Sequence, residues 1–178
     1  TTSTTFTGIT RAVLGTSQVA HTAGAQITEV QGTGSSTTIS VLRFNNTDYS
    51  NGVSINPADI SQVVFSNLGI YNIQISTQCL NFTNAIDNIT VWFALNGTDL
   101  PSTASIEAVP SSHGGVAGAI IFAVNIFQRF NGGDYLQIRW TSDSGNSVIA
   151  TYPAGVTPVH PVSPAIILTA QFVSALPA

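Results

Sequence analysis

The sequence predicts an all-β protein, an antiparallel sandwich of two sheets. From Thr37 onward, short apolar runs are separated by turn residues at intervals close to those of a sandwich or barrel. Several of those runs alternate apolar and polar residues with a period of two, as a half-buried strand requires. Asn96-Gly97 interrupts the pattern with the dipeptide that accepts two positive φ angles, the mark of a two-residue hairpin.

Residues 1–36 are rich in Thr, Ser and Gly with apolar islands at Ala12–Leu14 and Ile27–Val30. They read as an extended N-terminal arm with one short strand, either a frayed terminus or an arm that docks on a neighbour. The folded domain is expected over residues 37–178. Its first strands are placed at Thr37–Phe44 and Ile60–Phe65. Over Gly69–Thr77, Tyr71, Ile73 and Ile75 fall on one face and Asn72, Gln74 and Ser76 on the other. Ile89, Val91 and Phe93 repeat the alternation up to the Asn96-Gly97 turn, and Ala104–Val109 comes after it. Leu136, Ile138 and Trp140 form a strand after Gly132-Gly133, and the turn Asp143 to Asn146 leads into Val148–Tyr152. With Val116–Phe130 and Ala165–Val173, nine or ten strands are expected.

Val116–Phe130 is open to two readings. Residues 120, 123, 124 and 127 are apolar at helical spacing, but the enrichment in Ile, Val and Phe and the preceding glycines favour a strand. As a strand it carries Ile120, Phe122, Val124 and Ile126 on one face and Ile121, Ala123 and Phe127 on the other. A strand apolar on both faces needs cover on both. That cover is either a second protein surface or the chain's own loops and arm. Ala165–Val173 raises the same question, with Ile166, Leu168 and Phe172 opposite Ile167 and Val173.

Composition excludes several functions. Only 7% of the 178 residues are charged, 4 Arg against 8 acids and no Lys, where an average soluble chain has roughly 25%. Four scattered arginines at net charge -4 do not track nucleic-acid phosphates or an anionic membrane surface. Hydrophobic residues at 43% exceed what a disordered chain carries. The place of charge is taken by 22 Thr, 19 Ser and 13 Asn. The apolar stretch Val116–Val124 is about half the length a membrane helix needs. Cys79, the single cysteine, has no internal partner and reads as a small buried hydrophobe.

No catalytic, cofactor or metal constellation emerges. His21, His113 and His160 are far apart and lack a metal-setting spacing. His160 lies between Pro158 and Pro161, which describes a stiff connection. No serine occupies a Gly-x-Ser-x-Gly elbow, and Gly32-Thr33-Gly34 lacks the third glycine of a dinucleotide loop. Asp48, Asp99, Asp134 and Asp143 sit in turn-like sequence, where Asp is ordinary. Four Asn-x-Thr sequons, at Asn45, Asn81, Asn88 and Asn96, are near the number this composition gives by chance.

The run Val64-Phe65-Ser66-Asn67-Leu68-Gly69-Ile70-Tyr71-Asn72-Ile73 resembles the Gly-x-Tyr strand of the C1q/TNF-like jelly roll. Gly133-Asp134-Tyr135-Leu136-Gln137-Ile138 is similar to that family's Gly-Asp turn, and Ile166 to Val173 to its closing strand. More narrowly, Val91 to Ser102, the Gly133-Asp134-Tyr135 turn and Pro164 to Leu168 resemble jelly-roll domains of virion proteins of tailed phages, notably phages of cyanobacteria. The resemblance implies a non-enzymatic homotrimer without cofactor, either a capsid decoration (cement) protein on the outer capsid surface or a fibre tip. It implies further that the arm reaches the major capsid protein or another virion protein. The calcium-binding acids of some C1q-like trimers have no clear counterpart in this chain. Tyr71, Ile120, Phe122, Val124, Ile126, Phe127, Ile166, Leu168 and Phe172 are the expected trimer-interface residues. Two alternatives share the fold: a receptor-binding tip holding glycans on Tyr49, Tyr152 and Trp140, and an extracellular C1q-like binding module.

Overall fold

A computed structural model of the chain describes residues 30–175. Among them every regular element is a strand, and every strand pair is antiparallel. The elements are β1 (Val30–Thr33), β2 (Ser40–Val41), β3 (Val53–Ile55), β4 (Val63–Phe65), β5 (Gly69–Asn81), β6 (Asp87–Leu95) and β7 (Thr98–Asp99). They continue as β8 (Ser105–Val109), β9 (Gly118–Phe130), β10 (Tyr135–Ser142), β11 (Ser147–Ala150), β12 (Gly155–Val156), β13 (Val159–His160) and β14 (Ile166–Ser174).

β5 is the spine of the first sheet, sheet I. Along its whole length it pairs with β9 on one side. On the other side it meets β11 at residues 79–81 and β14 at residues 70–77. β11 and β14 run in the same direction and lie end to end. They are two halves of one strand position, split by an excursion over residues 151–164 that carries the β12–β13 hairpin. β1 flanks β11. Sheet II has the same plan: β6 and β10 pair at its centre, β8 and β7 flank β6, β2 and β4 flank β10, and β3 closes on β4.

The two sheets bury their inner faces against each other in a jelly-roll-like sandwich. Period two decides which residues do so. Tyr71, Ile73, Ile75 and Phe122 of sheet I meet Ile89, Val91, Phe93, Leu136, Ile138 and Trp140 of sheet II in one core. One end is closed by aromatic rings: Phe65 stacks on Phe130 with centroids 3.6 Å apart, and Tyr71 meets both edge-on. Such pairs add about 0.5–1.5 kcal/mol each beyond the area they bury. The Asn96-Gly97 turn has φ of 50° and 81°, as its two-residue hairpin demands.

The ambiguous run over 116–130 is a strand, and Ala165–Val173 corresponds to β14. Thr37–Phe44 shortens to β2, because Leu42 and Phe44, though buried, take their backbone bonds from different places: Leu42 N–H donates to Ile138 and Phe44 N–H to Ile60. β3, β7, β12 and β13, each two or three residues long, are too short to show a period. β1 belongs to sheet I, so the sandwich begins ahead of residue 37. The rest of the expected arm, the island at Ala12–Leu14 and His21 lie outside the described residues.

Candidate interaction surface

The outer face of sheet I is built by the residues that alternate with the core set. β9 contributes Ile121, Ala123, Asn125 and Phe127; β5 contributes Asn72, Gln74, Ser76 and Gln78; β14 contributes Ile167, Thr169 and Gln171, with Val173 at the bulge after Phe172. The register lays them in rows, with Phe127 beside Asn72 and Gln171, and Ala123 beside Ser76 and Ile167. Ile121 and Phe127 are each 64% exposed, and Ile167 and Val173 about half. The small side chains Ser76 and Ala123 leave a shallow depression of about 370 Å³ at the centre, walled by Gln74, Asn125, Ile167 and Thr169. Asn125 Nδ2 donates to the Asn72 side-chain oxygen and, at 3.2 Å, to the Ile73 carbonyl. Across all five strands of this sheet a single residue is charged, Arg129.

Sheet II and its loops hold the charge. Asp99 accepts from Trp92 Nε1 at 2.7 Å and pairs with Arg139 at 2.8 Å, while a second Arg139 nitrogen donates to the Gly97 carbonyl. Asp134 ties the turn before β10: it accepts from the Asn131 N–H at 2.6 Å and the Asn96 amide at 2.7 Å. Burial would raise its carboxyl, but the Asn96 and Asn131 bonds outweigh that and lower it. Asp59 is lowered by the Ser61 hydroxyl and N–H.

Asp87 is the buried charge, 2% exposed at the start of β6. Its carboxylate accepts from Ser142 Oγ (2.5 Å), Ser144 Oγ (2.7 Å), Ser144 N–H (3.0 Å) and Ser147 N–H (2.8 Å). Burial pushes the group up, yet these donors from the β10–β11 turn win and hold it well below the usual carboxylate range. Asp87 is thus the hub that ties β6 to that turn.

The expected interface residues divide. Tyr71 and Phe122 are core residues, 2% and 1% exposed, and Ile120, Val124, Ile126, Ile166 and Leu168 pack against that core from its margin. Phe172 lies edge-on to Tyr71 at the rim and is 49% exposed. Of the nine, only Phe127 stands on the outer face. Ile121 and Ile167 share that face with it. β9 is apolar on both faces, so alternation alone could not say which set points out. What the sequence marks is the sheet as a whole: the runs 60–86, 108–128 and 144–178 hold no charged residue, and they contain β5, β11, β14 and nearly all of β9.

Other candidates have local roles. Cys79 is fully buried, and burial pushes its thiol up. Trp140, expected among the glycan-binding aromatics, is 0% exposed, because it is an inward residue of β10. Tyr49 and Tyr152 are 97% and 36% exposed. Asn81 is buried, its amide donating to the Ala85 carbonyl at 2.7 Å, so this sequon holds a turn. His160 stands in β13 with Nδ1 2.9 Å from the Pro161 carbonyl. Among the described residues no three His, Cys, Asp or Glu side chains converge, and no helix is long and apolar enough to cross a membrane. What the sheet I face can do chemically is exclude water against a flat, uncharged partner. Compared with known protein families and with curated proteins, the chain matches none.

Proposed function

We propose that this chain is a non-enzymatic structural subunit that assembles through the outer face of sheet I, as a homotrimeric decoration (cement) protein on a virion capsid. The observation that carries the reading is the segregation of charge: one arginine across five strands of sheet I, with Ile121, Phe127, Ile167 and Val173 exposed among amides and hydroxyls. The centres of protein interfaces are depleted in charge and enriched in aromatic side chains, and an exposed apolar patch on a stable domain marks a contact site. Closed symmetry then hides three copies of one face. On a lattice, many modest contacts sum through multivalency. Such a role needs no reacting group. The glycan-tip alternative loses one of its three aromatics with Trp140 in the core.

Sedimentation and electron microscopy test the two levels separately. A trimer is expected at micromolar concentration, and a stable monomer overturns the assembly. Added to undecorated capsids, the protein is expected as density on the shell; a trimer that leaves the shell bare overturns the virion role.

A further inference from the structure

Asn-Gly is a chemically labile sequence at neutral pH. Glycine has no side chain to shield its nitrogen, and that nitrogen can attack the carboxamide carbon of the asparagine before it. The chain holds three such pairs, Asn51-Gly52, Asn96-Gly97 and Asn131-Gly132. All three lie between strands: ahead of β3, between β6 and β7, and between β9 and β10. The fold treats them differently. Asn96 is held at both ends of its carboxamide: Nδ2 donates to Asp134 Oδ1 at 2.7 Å, and Oδ1 accepts the Tyr135 N–H at 2.9 Å. Its backbone N–H donates to the Tyr135 carbonyl at 2.9 Å. Because the backbone enters the left-handed region here, with φ of 50°, the side-chain oxygen takes the place that a main-chain carbonyl would hold in a continued ladder with β10. The carboxamide thus reaches across to β10 and not along the turn to the Gly97 nitrogen.

Asn131 is held less tightly. Its Nδ2 donates to Asp134 Oδ2 at 3.1 Å, an oxygen that its own backbone N–H already occupies at 2.6 Å. Among the described residues, none bonds to the exposed side chain of Asn51. We propose that Asp134 guards two latent deamidation sites, Asn96 and Asn131, and that Asn51 is the open site, modified first in the folded chain. In the reaction the glycine nitrogen gives its proton to solvent and bonds to the asparagine Cγ. The Cγ–Nδ2 bond breaks and Nδ2 leaves as ammonia. Water then opens the cyclic imide at either carbonyl, leaving aspartate or isoaspartate, and no oxidant or reductant is needed. The nitrogen has to come within about 3–3.5 Å of Cγ, and at Asn96 the carboxamide must first release both its partners. Conversion there sets a second carboxylate against Asp134 where an amide had donated, and like charges so close repel. The tie between the Asn96-Gly97 turn and the turn before β10 is then lost. The chemistry is the same in a free chain and in an assembly.

Peptide mapping by mass spectrometry in mildly alkaline buffer tests it. In urea the three sites are expected to convert at similar rates. In the folded chain the expected order is Asn51, then Asn131, then Asn96, with Asn96 at least about tenfold slower than in urea, the factor for one bond to a charged group. An Asn96 that converts as fast folded as unfolded overturns the proposal. Asp134→Ala, shown to be folded by circular dichroism, is expected to speed Asn96 and Asn131 severalfold and to leave Asn51 unchanged. Acceleration at all three sites would report general loosening and overturns the guard, as does no acceleration at Asn96. If that variant does not fold, the unaltered chain decides. By NMR, the side-chain N–H protons of Asn96 are expected to exchange with heavy water about tenfold more slowly than those of Asn51, and equal exchange overturns the hold.

Discussion

The two outer faces of the sandwich are made by the same alternation and end up as opposites. On sheet II, polar groups find each other: Trp92, Asp99 and Arg139 form one network, and Asp59, Asp87 and Asp134 are each saturated by neighbouring donors. On sheet I the outward residues are amides, hydroxyls and large apolar side chains, with Asn125 to Asn72 the contact that ties two of them together. One face resolves its polarity internally and exposes Ile106 among charged groups, and the other gathers several exposed apolar side chains with no acid among them. In the proposed assembly, stability and association are therefore carried by different sheets, and separate substitutions reach each.

The largest effect is expected at Asp87. Asp87→Ala leaves the buried Ser142 hydroxyl and Ser147 N–H without their acceptor, while the Ser144 groups, in the exposed part of the turn, can bond water. Each orphaned buried donor costs about 1–3 kcal/mol, so a loss on the order of 3–5 kcal/mol is expected in urea unfolding. The same residue sets a pH dependence. Its folded carboxyl titrates below the ordinary value of about 3.9, so its contribution is full above that value and is lost as the pH falls through it toward the lower folded value. Asp59 and Asp134 act in the same direction. Hydrogen exchange near pH 3 should therefore loosen sheet II before sheet I, and Asp87→Asn should remove part of the acid sensitivity. Uniform loosening of both sheets would break the contrast.

The second effect belongs to sheet I. Phe127→Asp replaces the exposed aromatic ring of this face with a charge and is expected to weaken self-association roughly 30-fold or more, the range of a residue worth about 2 kcal/mol. Ser54→Asp, on the outer side of β3, is the matched control and should leave sedimentation unchanged. Equal effects would mean that the face is not the contact. A smaller effect is expected inside the sheet II network: Trp92→Phe removes the bond to Asp99 and should cost about 0.5–1.5 kcal/mol in unfolding, with no change in association.

The contrast was half legible in the sequence. The strand positions of β5, β6 and β10 come from period two, that of β9 from its enrichment in Ile, Val and Phe after glycines, and the Asn96-Gly97 turn from its dipeptide, because these signals are local. The direction each strand faces is not local. In β9 both sets are apolar, and Ile120, Phe122, Val124 and Ile126 turn inward because β5, its partner, presents Cys79, Thr77, Ile75 and Ile73 to the core beside them. β14 faces as it does for the same reason. The hub at Asp87 was equally hidden: Ser142, Ser144 and Ser147 lie more than fifty residues away, and only the pairing of β6 with β10 brings them to it.

The smallest expected effect concerns the excursion that splits the third strand position of sheet I. Its stem is closed by two hydrogen bonds, Tyr152 N–H to Ser163 at 2.9 Å and Ser163 N–H to Tyr152 at 3.0 Å. Beyond that pair, Val156 and Val159 are 84% and 86% exposed and join only each other's strands. β11 and β14 take their bonds from β5, not from the hairpin, so residues 153–162 add little that the sheet needs. Replacing them with Asn-Gly, which closes a two-residue hairpin between paired residues, should change stability by no more than about 0.5 kcal/mol, or about 2 °C in Tm for a domain of this size. A larger loss would show that the excursion supports the junction of β11 and β14, and sheet I would then owe part of its stability to a segment outside its own ladder.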